Sequence, residues 1–172
     1  MKTLFVLRGA PGCGKSTWIK QNHFEDKTIS SDEVRLVVSG KRFDEKLNHF
    51  VIPQDYFTQK VTWEVIFHIL KRKMQNNQEF IFLDATCSHL KDLRGYVDFV
   101  KDFNYKVVVI DFSDIPLNTC QQQNSEREDY RRVPEYAVKN CYDRIKSQVV
   151  PENVQVVSFK DFNLKDFEET EI

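Results

Sequence analysis

Eight residues near the amino terminus, Gly9-Ala10-Pro11-Gly12-Cys13-Gly14-Lys15-Ser16, constrain this chain more than any other segment. They match G-x-x-x-x-G-K-[ST] without a mismatch, the pattern of a phosphate-binding loop, or P-loop. Glycines allow successive backbone N–H groups to converge on phosphate oxygens in conformations that side chains obstruct. A helix opening just after such a loop turns its positive end toward the anion. Lys15 brings a point charge for the β and γ phosphates, and Ser16 offers a hydroxyl to Mg²⁺, which prefers oxygen ligands. With Thr17, the stretch from Gly9 to Thr17 is the candidate nucleotide-binding segment. Its context fits: an apolar run over residues 4–7 reads as a buried strand, and a polar helix is expected over 15–21. ATP or another nucleoside triphosphate, with Mg²⁺, is the ligand set this motif implies.

Further along the chain, apolar runs at 80–83 and 107–112 read as strands buried on both faces. Shorter strands are expected at 27–30 and 154–157. Helical spacing predicts a helix from a start near Asp32, and another over 54–76 with Val61, Val65, Ile69 and Met74 on its apolar face. Leu93, Val97 and Val100 mark a further helix, and 115–127 and 134–149 read as two more. Residues 40–53 are mixed and give no clear element. Strands alternating with helices predict an α/β fold, a kinase-type P-loop NTPase with a central parallel sheet, flanking helices and a helical lid. No linker or repeat divides the 172 residues, so the expectation is a single domain over 1–172. Its lid would lie at 124–134 and its C-terminal tail at 160–172, acidic and solvated after Lys165.

Charge and cysteines narrow the function classes. Net charge is −1, from 25 Lys and Arg against 26 Asp and Glu. A balanced chain has no whole-molecule attraction to nucleic acid or to an anionic membrane, so any polyanion needs a local patch. Cys13, Cys87, Cys120 and Cys141 form no C-x-x-C pair and no zinc spacing. They read as thiols buried in a reducing compartment. The first apolar run ends at Arg8, too soon for a signal-peptide core, and no stretch has transmembrane length. A cytoplasmic protein without a membrane partner is expected. Aromatic residues are 13% of the chain. Core packing is their default use, and a homo-oligomer interface is the alternative.

The residues around the motif suggest a kinase. Asp84 ends the strand Phe80-Ile81-Phe82-Leu83 and is the candidate second acid near the metal, beside Ser16; a turn or helix-capping aspartate is the plain alternative. No N-K-x-D for reading guanine is present, and Asp92-Leu93-Arg94-Gly95 falls inside a helix. Ser30-Ser31-Asp32-Glu33-Val34-Arg35 follows the second strand, so it should emerge at the same sheet edge as the P-loop, where open α/β sheets bind ligands. Asp32 can accept a proton from an attacking hydroxyl. Arg35, three residues on, shares its helical face and can hold an acceptor phosphate. Equally, the segment reads as a plain helix start capped by Ser31 or Asp32. Residues 124–134 carry Arg127, Arg131 and Arg132, the cations available to neutralise a transferring phosphoryl group.

Taken in order, GAPGCGKST, ISSDEVR, FLDAT, CQQQNSER and VPEYAVKN resemble the 5′-OH polynucleotide kinase domain of phage and bacterial nucleic-acid repair enzymes. The resemblance runs over residues 4–146. It implies that Lys15 and Ser16 hold donor phosphates and Mg²⁺, and that Asp32 is the general base for a 5′-OH of RNA or DNA. It implies that Arg35 grips the 3′-phosphate of the terminal nucleotide, that Thr86 lies near the acceptor strand, and that Arg127, with Arg131 nearby, contacts the donor. Two positions depart from the family pattern. Gln123 stands where bacterial members often carry a second lid arginine, and Cys87 stands where asparagine is common. Members are often fused to phosphatase or ligase domains; this chain would act alone or with separate partners of those kinds. Lys41 and Arg42 are candidate additions to the acceptor groove, and Tyr130 is a candidate stacking surface. A small-molecule hydroxyl kinase uses the same P-loop and base. A nucleotide-binding regulatory or toxin-like module is the reading from a different class.

Overall fold

The computed structural model describes residues 1–168, so the last four residues of the expected tail lie outside the described residues. The chain begins with β1 (Thr3–Arg8), every residue of which is buried. It lies at the centre of a five-stranded sheet in which all pairings are parallel. Beside it run β5 (Phe80–Asp84) and β6 (Lys106–Asp111), with β2 (Thr28–Ser30) and β7 (Gln155–Ser158) at the two edges. In these central strands alternate side chains enter separate cores. Leu4, Val6, Ile81, Leu83, Val107 and Val109 face one layer, and Phe5, Leu7, Phe80, Phe82, Val108 and Ile110 face the other. A strand buried on both faces needs apolar residues at every position, which is why these segments read as continuous runs rather than alternating ones.

The first layer is built by α3 (Tyr56–Gln75) and α4 (Leu90–Lys101), the second by α1 (Lys15–Gln21), α5 (Leu117–Ser125) and α6 (Glu135–Ser147). Asp92 to Gly95 lies within α4, as expected. The buried row of α3 differs from the expected one: it is Thr58, Thr62, Ile66, Leu70 and Met74, while Val61, Val65 and Ile69 are half-buried. Thr62 is fully buried because its hydroxyl donates to the Thr58 carbonyl at 2.7 Å, so a polar residue enters the core already satisfied.

Two further expectations are corrected. The helix α2 (Ser31–Ser39) is capped by Ser30, whose hydroxyl accepts from the Glu33 N–H, rather than by Ser31 or Asp32. The segment after Lys165 is not simply solvated. Phe167 is buried, with its ring 5.0 Å from Phe5, and Phe162 lies 5.1 Å from the same ring. These rings cover the second face of β1, the kind of apolar area that an acidic composition hides.

Residues 40–53, unassigned from sequence, form an antiparallel hairpin of β3 (Arg42–Asp44) and β4 (His49–Val51). It stands apart from the main sheet and packs against the 3-10 turn Asp129–Arg131. That turn occupies the segment expected as a lid. Among the described residues no helix is long and apolar enough to cross a membrane.

Candidate active site

Because the sheet is parallel, the segments after β1, β2 and β5 all leave from one edge. The register aligns them: Asp84 pairs with Leu7 on one side and with Ser30 on the other. The chain after Leu7 becomes the P-loop, and the chain after Ser30 becomes α2 with Asp32. The strand order therefore places a candidate metal acid between a candidate donor site and a candidate acceptor site.

The loop from Gly9 to Ser16 has its shape because its glycines permit it. Gly12 has φ +82°, and a β-carbon there would come within 2.1 Å of the Cys120 carbonyl oxygen. A β-carbon on Gly9 would meet the Cys13 sulfur at 2.5 Å. Ala10 and Cys13 are buried beneath the loop, whereas Pro11, Gly12, Gly14, Lys15, Ser16 and Thr17 line the cleft above it. The Lys15 ammonium is buried and donates to the carbonyls of Gly9 (2.9 Å) and Ala10 (3.1 Å) and to the Cys13 sulfur (3.5 Å). Burial pulls its pKa down, but Cys13 and Asp84 more than offset this, and the group stays above the ordinary lysine value.

Ser16 donates its hydroxyl hydrogen to Asp84 Oδ2 at 2.7 Å. This hydroxyl–carboxylate pair at the mouth of the loop is an oxygen-only donor set and fits Mg²⁺. Among the described residues no cluster of three or more His, Cys, Asp or Glu could hold a metal.

Across the cleft, Asp32 receives two arginines. Arg35 Nη1 lies 2.7 Å from Oδ1, and Arg127 Nη2 lies 3.2 Å from Oδ2. Burial raises the Asp32 pKa, but the two guanidinium groups outweigh it and hold the carboxyl below its ordinary value. Arg35 is itself buried, and its Nη2 donates to Gln59 Oε1 at 3.1 Å. Arg127, expected at the donor phosphates, is paired here with Asp32, on the candidate acceptor side. Arg131 pairs with Glu128 at 3.5 Å and Arg132 with Asp129 at 2.8 Å, both within the same segment. Lys41 Nζ sits 3.6 Å from the Tyr130 ring centroid, so one face of that ring is already covered.

Thr86 follows Asp84 at the cleft wall, and its carbonyl accepts from the Gly9 N–H at 3.2 Å. Cys87 has φ +46°, a left-handed conformation that asparagine adopts more readily than most residues. Burial pushes its thiol up to about 12, which disfavours the thiolate. Gln123 reaches the cleft edge near Gly14.

Three contributions escaped sequence reasoning. The hairpin brings Asp44 and His49 to the cleft, along with Arg42, itself a candidate from sequence. Gln59 reaches Arg35 from the first turn of α3. Asn124, buried, donates to the Val133 carbonyl at 2.7 Å and accepts from the Val133 N–H at 3.1 Å, closing the base of the 125–132 segment. No local motif announces any of them. The cleft they enclose measures about 1130 Å³. Ligand pockets run from roughly 300 to 1,000 Å³, so the cleft is at the upper end of that range.

Comparison with known proteins agrees with this architecture. No curated protein matches the chain in sequence. Among solved structures, a chain of the Pnkp1/Rnl/Hen1 RNA repair complex superposes with a TM-score of 0.65 at 21% identity, over 85% of this chain. This chain spans only 44% of the length of that one. The AvrRxo1-ORF1:AvrRxo1-ORF2 complex with ATP gives 0.58 at 15% identity, over 86% of this chain and 48% of the other. A gluconokinase from Sinorhizobium meliloti 1021 gives 0.50 at 14% identity, over 91% and 81%. Identities this low establish the shared fold and nothing finer. A family model described as an AAA domain matches residues 4–151. With that match over most of its length and a parallel sheet carrying the P-loop at its edge, the chain belongs to this AAA domain family and has the fold of P-loop kinases.

Proposed function

We propose that this chain is an ATP-dependent polynucleotide 5′-hydroxyl kinase, moving the γ-phosphate of a nucleoside triphosphate to a 5′-OH end of RNA or DNA. The observation that carries the reading is the convergence of Asp32, Arg35 and Arg127 opposite Lys15 and the Ser16–Asp84 pair. A kinase acting on a strand end needs an anion grip next to its base, because the nucleotide bearing the 5′-OH also carries a 3′-phosphate. Arg35 supplies that grip through planar, fork-shaped donors.

In this reading the loop N–H groups and Lys15 bind the donor phosphates. Ser16 and Asp84 would hold Mg²⁺, which when bound neutralises phosphate charge. Asp32 orients the acceptor hydroxyl in line with the γ-phosphorus. A carboxylate held at low pKa is a weak base, so it takes the proton late, once bonding to phosphorus has acidified the hydroxyl. Arg127 then exchanges Asp32 for the transferring phosphoryl group, where its charge stabilises the transition state. RNA or DNA repair is the natural setting, with separate ligase or phosphatase partners. The lid is the 124–134 segment, and the chain works as one domain in the cytoplasm, with a homo-oligomer as an open arrangement.

Neutral net charge favours a second reading, a small-molecule hydroxyl kinase in which Arg35 is dispensable. The test is an acceptor panel with γ-labelled ATP and Mg²⁺: 5′-OH RNA, 5′-OH DNA, nucleosides and gluconate. Label on the oligonucleotide 5′ ends supports the polynucleotide reading, and their ratio gives the RNA or DNA preference. Label only on a small hydroxyl compound replaces that reading with the second one. Nucleotide binding with no transfer to any acceptor points to a regulatory or toxin-like module.

A further inference from the structure

We infer that Gln59 is a positioning and specificity-determining residue, fixing the Arg35 guanidinium so that the site selects acceptors bearing a phosphate next to the reacting hydroxyl. This rests on the polynucleotide reading and names the residue that enforces it.

Arg35 belongs to a short polar chain. Its Nη1 is taken by Asp32 at 2.7 Å and its Nη2 by Gln59 Oε1 at 3.1 Å, and Gln59 Nε2 in turn donates to Gln54 Oε1 at 2.6 Å. Arginine only donates, so its contact sets the Gln59 amide oxygen toward Arg35 and leaves the amide nitrogen to donate to Gln54. Gln59 also sits on a firm base. Asp55 caps α3, accepting from the Thr58 N–H at 3.0 Å and the Thr58 hydroxyl at 2.8 Å, and the Gln59 N–H donates to the Asp55 carbonyl at 3.0 Å.

Without Gln59, the contact to Asp32 alone would leave the guanidinium plane free to turn, because one hydrogen bond fixes a point and two fix a plane. Asp32 lies three residues away on the same helix, so it gives Arg35 no anchor outside α2. Gln59 is that external anchor, and both residues line the cleft. Arg35 is 7% exposed, and its Nε has no hydrogen-bond partner among the described residues. A buried guanidinium N–H without a partner is costly, and a phosphate oxygen is the kind of acceptor that satisfies it. A neutral amide suits the anchor's role. It directs the donors without neutralising the cation, whereas a carboxylate at position 59 would compete with the acceptor's own charge.

The experiment uses the full chain as wild type, Gln59→Ala and Gln59→Glu, with two readouts. First, the Arg35 Nε–H resonance is followed by NMR, assigned by its loss in Arg35→Lys, and its exchange with solvent is measured without any substrate. Second, KM is measured for ATP and for a matched acceptor pair, a 5′-OH nucleoside 3′-monophosphate and the nucleoside alone. Gln59→Ala is expected to speed Nε–H exchange and to raise KM for the phosphate-bearing acceptor about tenfold or more, the worth of a hydrogen bond to a charged group. KM for ATP and for the nucleoside should not move. Gln59→Glu should restore slow exchange but not the phosphate preference.

Unchanged exchange in Gln59→Ala overturns the inference. So does faster exchange with an unaltered preference for the phosphate-bearing acceptor, and so does an equal loss on both acceptors. Should the wild type transfer phosphate to no nucleotide acceptor, the polynucleotide reading fails and Gln59 as a determinant of phosphate selection fails with it. The exchange readout still reports separately whether Gln59 holds Arg35.

Discussion

Asp32 answers to three demands at one carboxylate: it pairs with Arg35, it pairs with Arg127, and in the proposed reaction it takes a proton. Because its folded pKa lies below the ordinary value, its contribution to stability is complete above the unfolded carboxylate value. That contribution is lost as pH falls through the still lower folded value. The same sign governs activity. A profile of kcat/KM, which reports the free enzyme, should stay flat from pH 8 down to about 5 as far as Asp32 is concerned. An acid limb centred near pH 6 that disappears in an Asp32 variant would contradict the two-arginine environment. Asp32→Asn should lower kcat by about 10² to 10⁴, the usual worth of a positioned general base. It should lower stability by no more than about 1 kcal/mol, because the aspartate is partly exposed and solvent screens both pairs. Urea titration of the folded variant separates the two effects.

Among the elements, the segment between α5 and α6 carries Arg127, Arg131 and Arg132, the candidate lid cations. Its base is pinned by the two hydrogen bonds between the Asn124 side chain and the Val133 backbone. Asn124→Asp keeps the acceptor for the Val133 N–H but sets a carboxylate against the Val133 carbonyl. Stability should fall by about 1–3 kcal/mol, the cost of a buried polar atom left without its partner. KM for ATP should rise as Arg127 loses its placement. Thermal melting and initial rates read both, and a variant with wild-type KM would show that Arg127 does not depend on this hinge.

How much of this was legible in the sequence follows from where the information resides. The P-loop, the strands at 80–83 and 107–112 and the acid ending β5 are local patterns, and the register turns them into a site without further help. The hairpin at 42–51 was not legible, because strands this short carry no periodicity and Phe43 and Phe50 point outward, both about half exposed. The face of α3 was misread because Thr58 and Thr62 hide their hydroxyls on the helix itself or on its cap. Gln59 and Asn124 act through partners distant in sequence or across a loop, and nothing near them in sequence names those partners.

For the molecule as a whole, the tail completes the second core. Phe162 and Phe167 close over Phe5, and their own rings stack with centroids 5.7 Å apart. Phe167→Ala should cost about 3 kcal/mol, a fall of roughly 6–12 °C in Tm for a chain of this size. A shift under 2 °C by calorimetry would mean that the tail is dispensable to the fold. The charge balance makes a separate prediction. With net charge −1, any hold on a nucleic acid comes from a few local cations, so activity on oligonucleotides should weaken with added salt at constant Mg²⁺ along a shallow slope of about one to three ions. A flat response would remove phosphate recognition from the account. The central claim, that one cleft holds a donor at Lys15 and a 5′-OH acceptor at Asp32, is tested most directly by single-turnover transfer from γ-labelled ATP to a 5′-OH oligonucleotide, with Lys15→Ala and Asp32→Asn run beside the wild type. The account predicts end-labelling by the wild type, loss of both ATP binding and labelling in Lys15→Ala, and retained ATP binding without labelling in Asp32→Asn. ATP binding with no labelling by the wild type, or full labelling by Asp32→Asn, would contradict it.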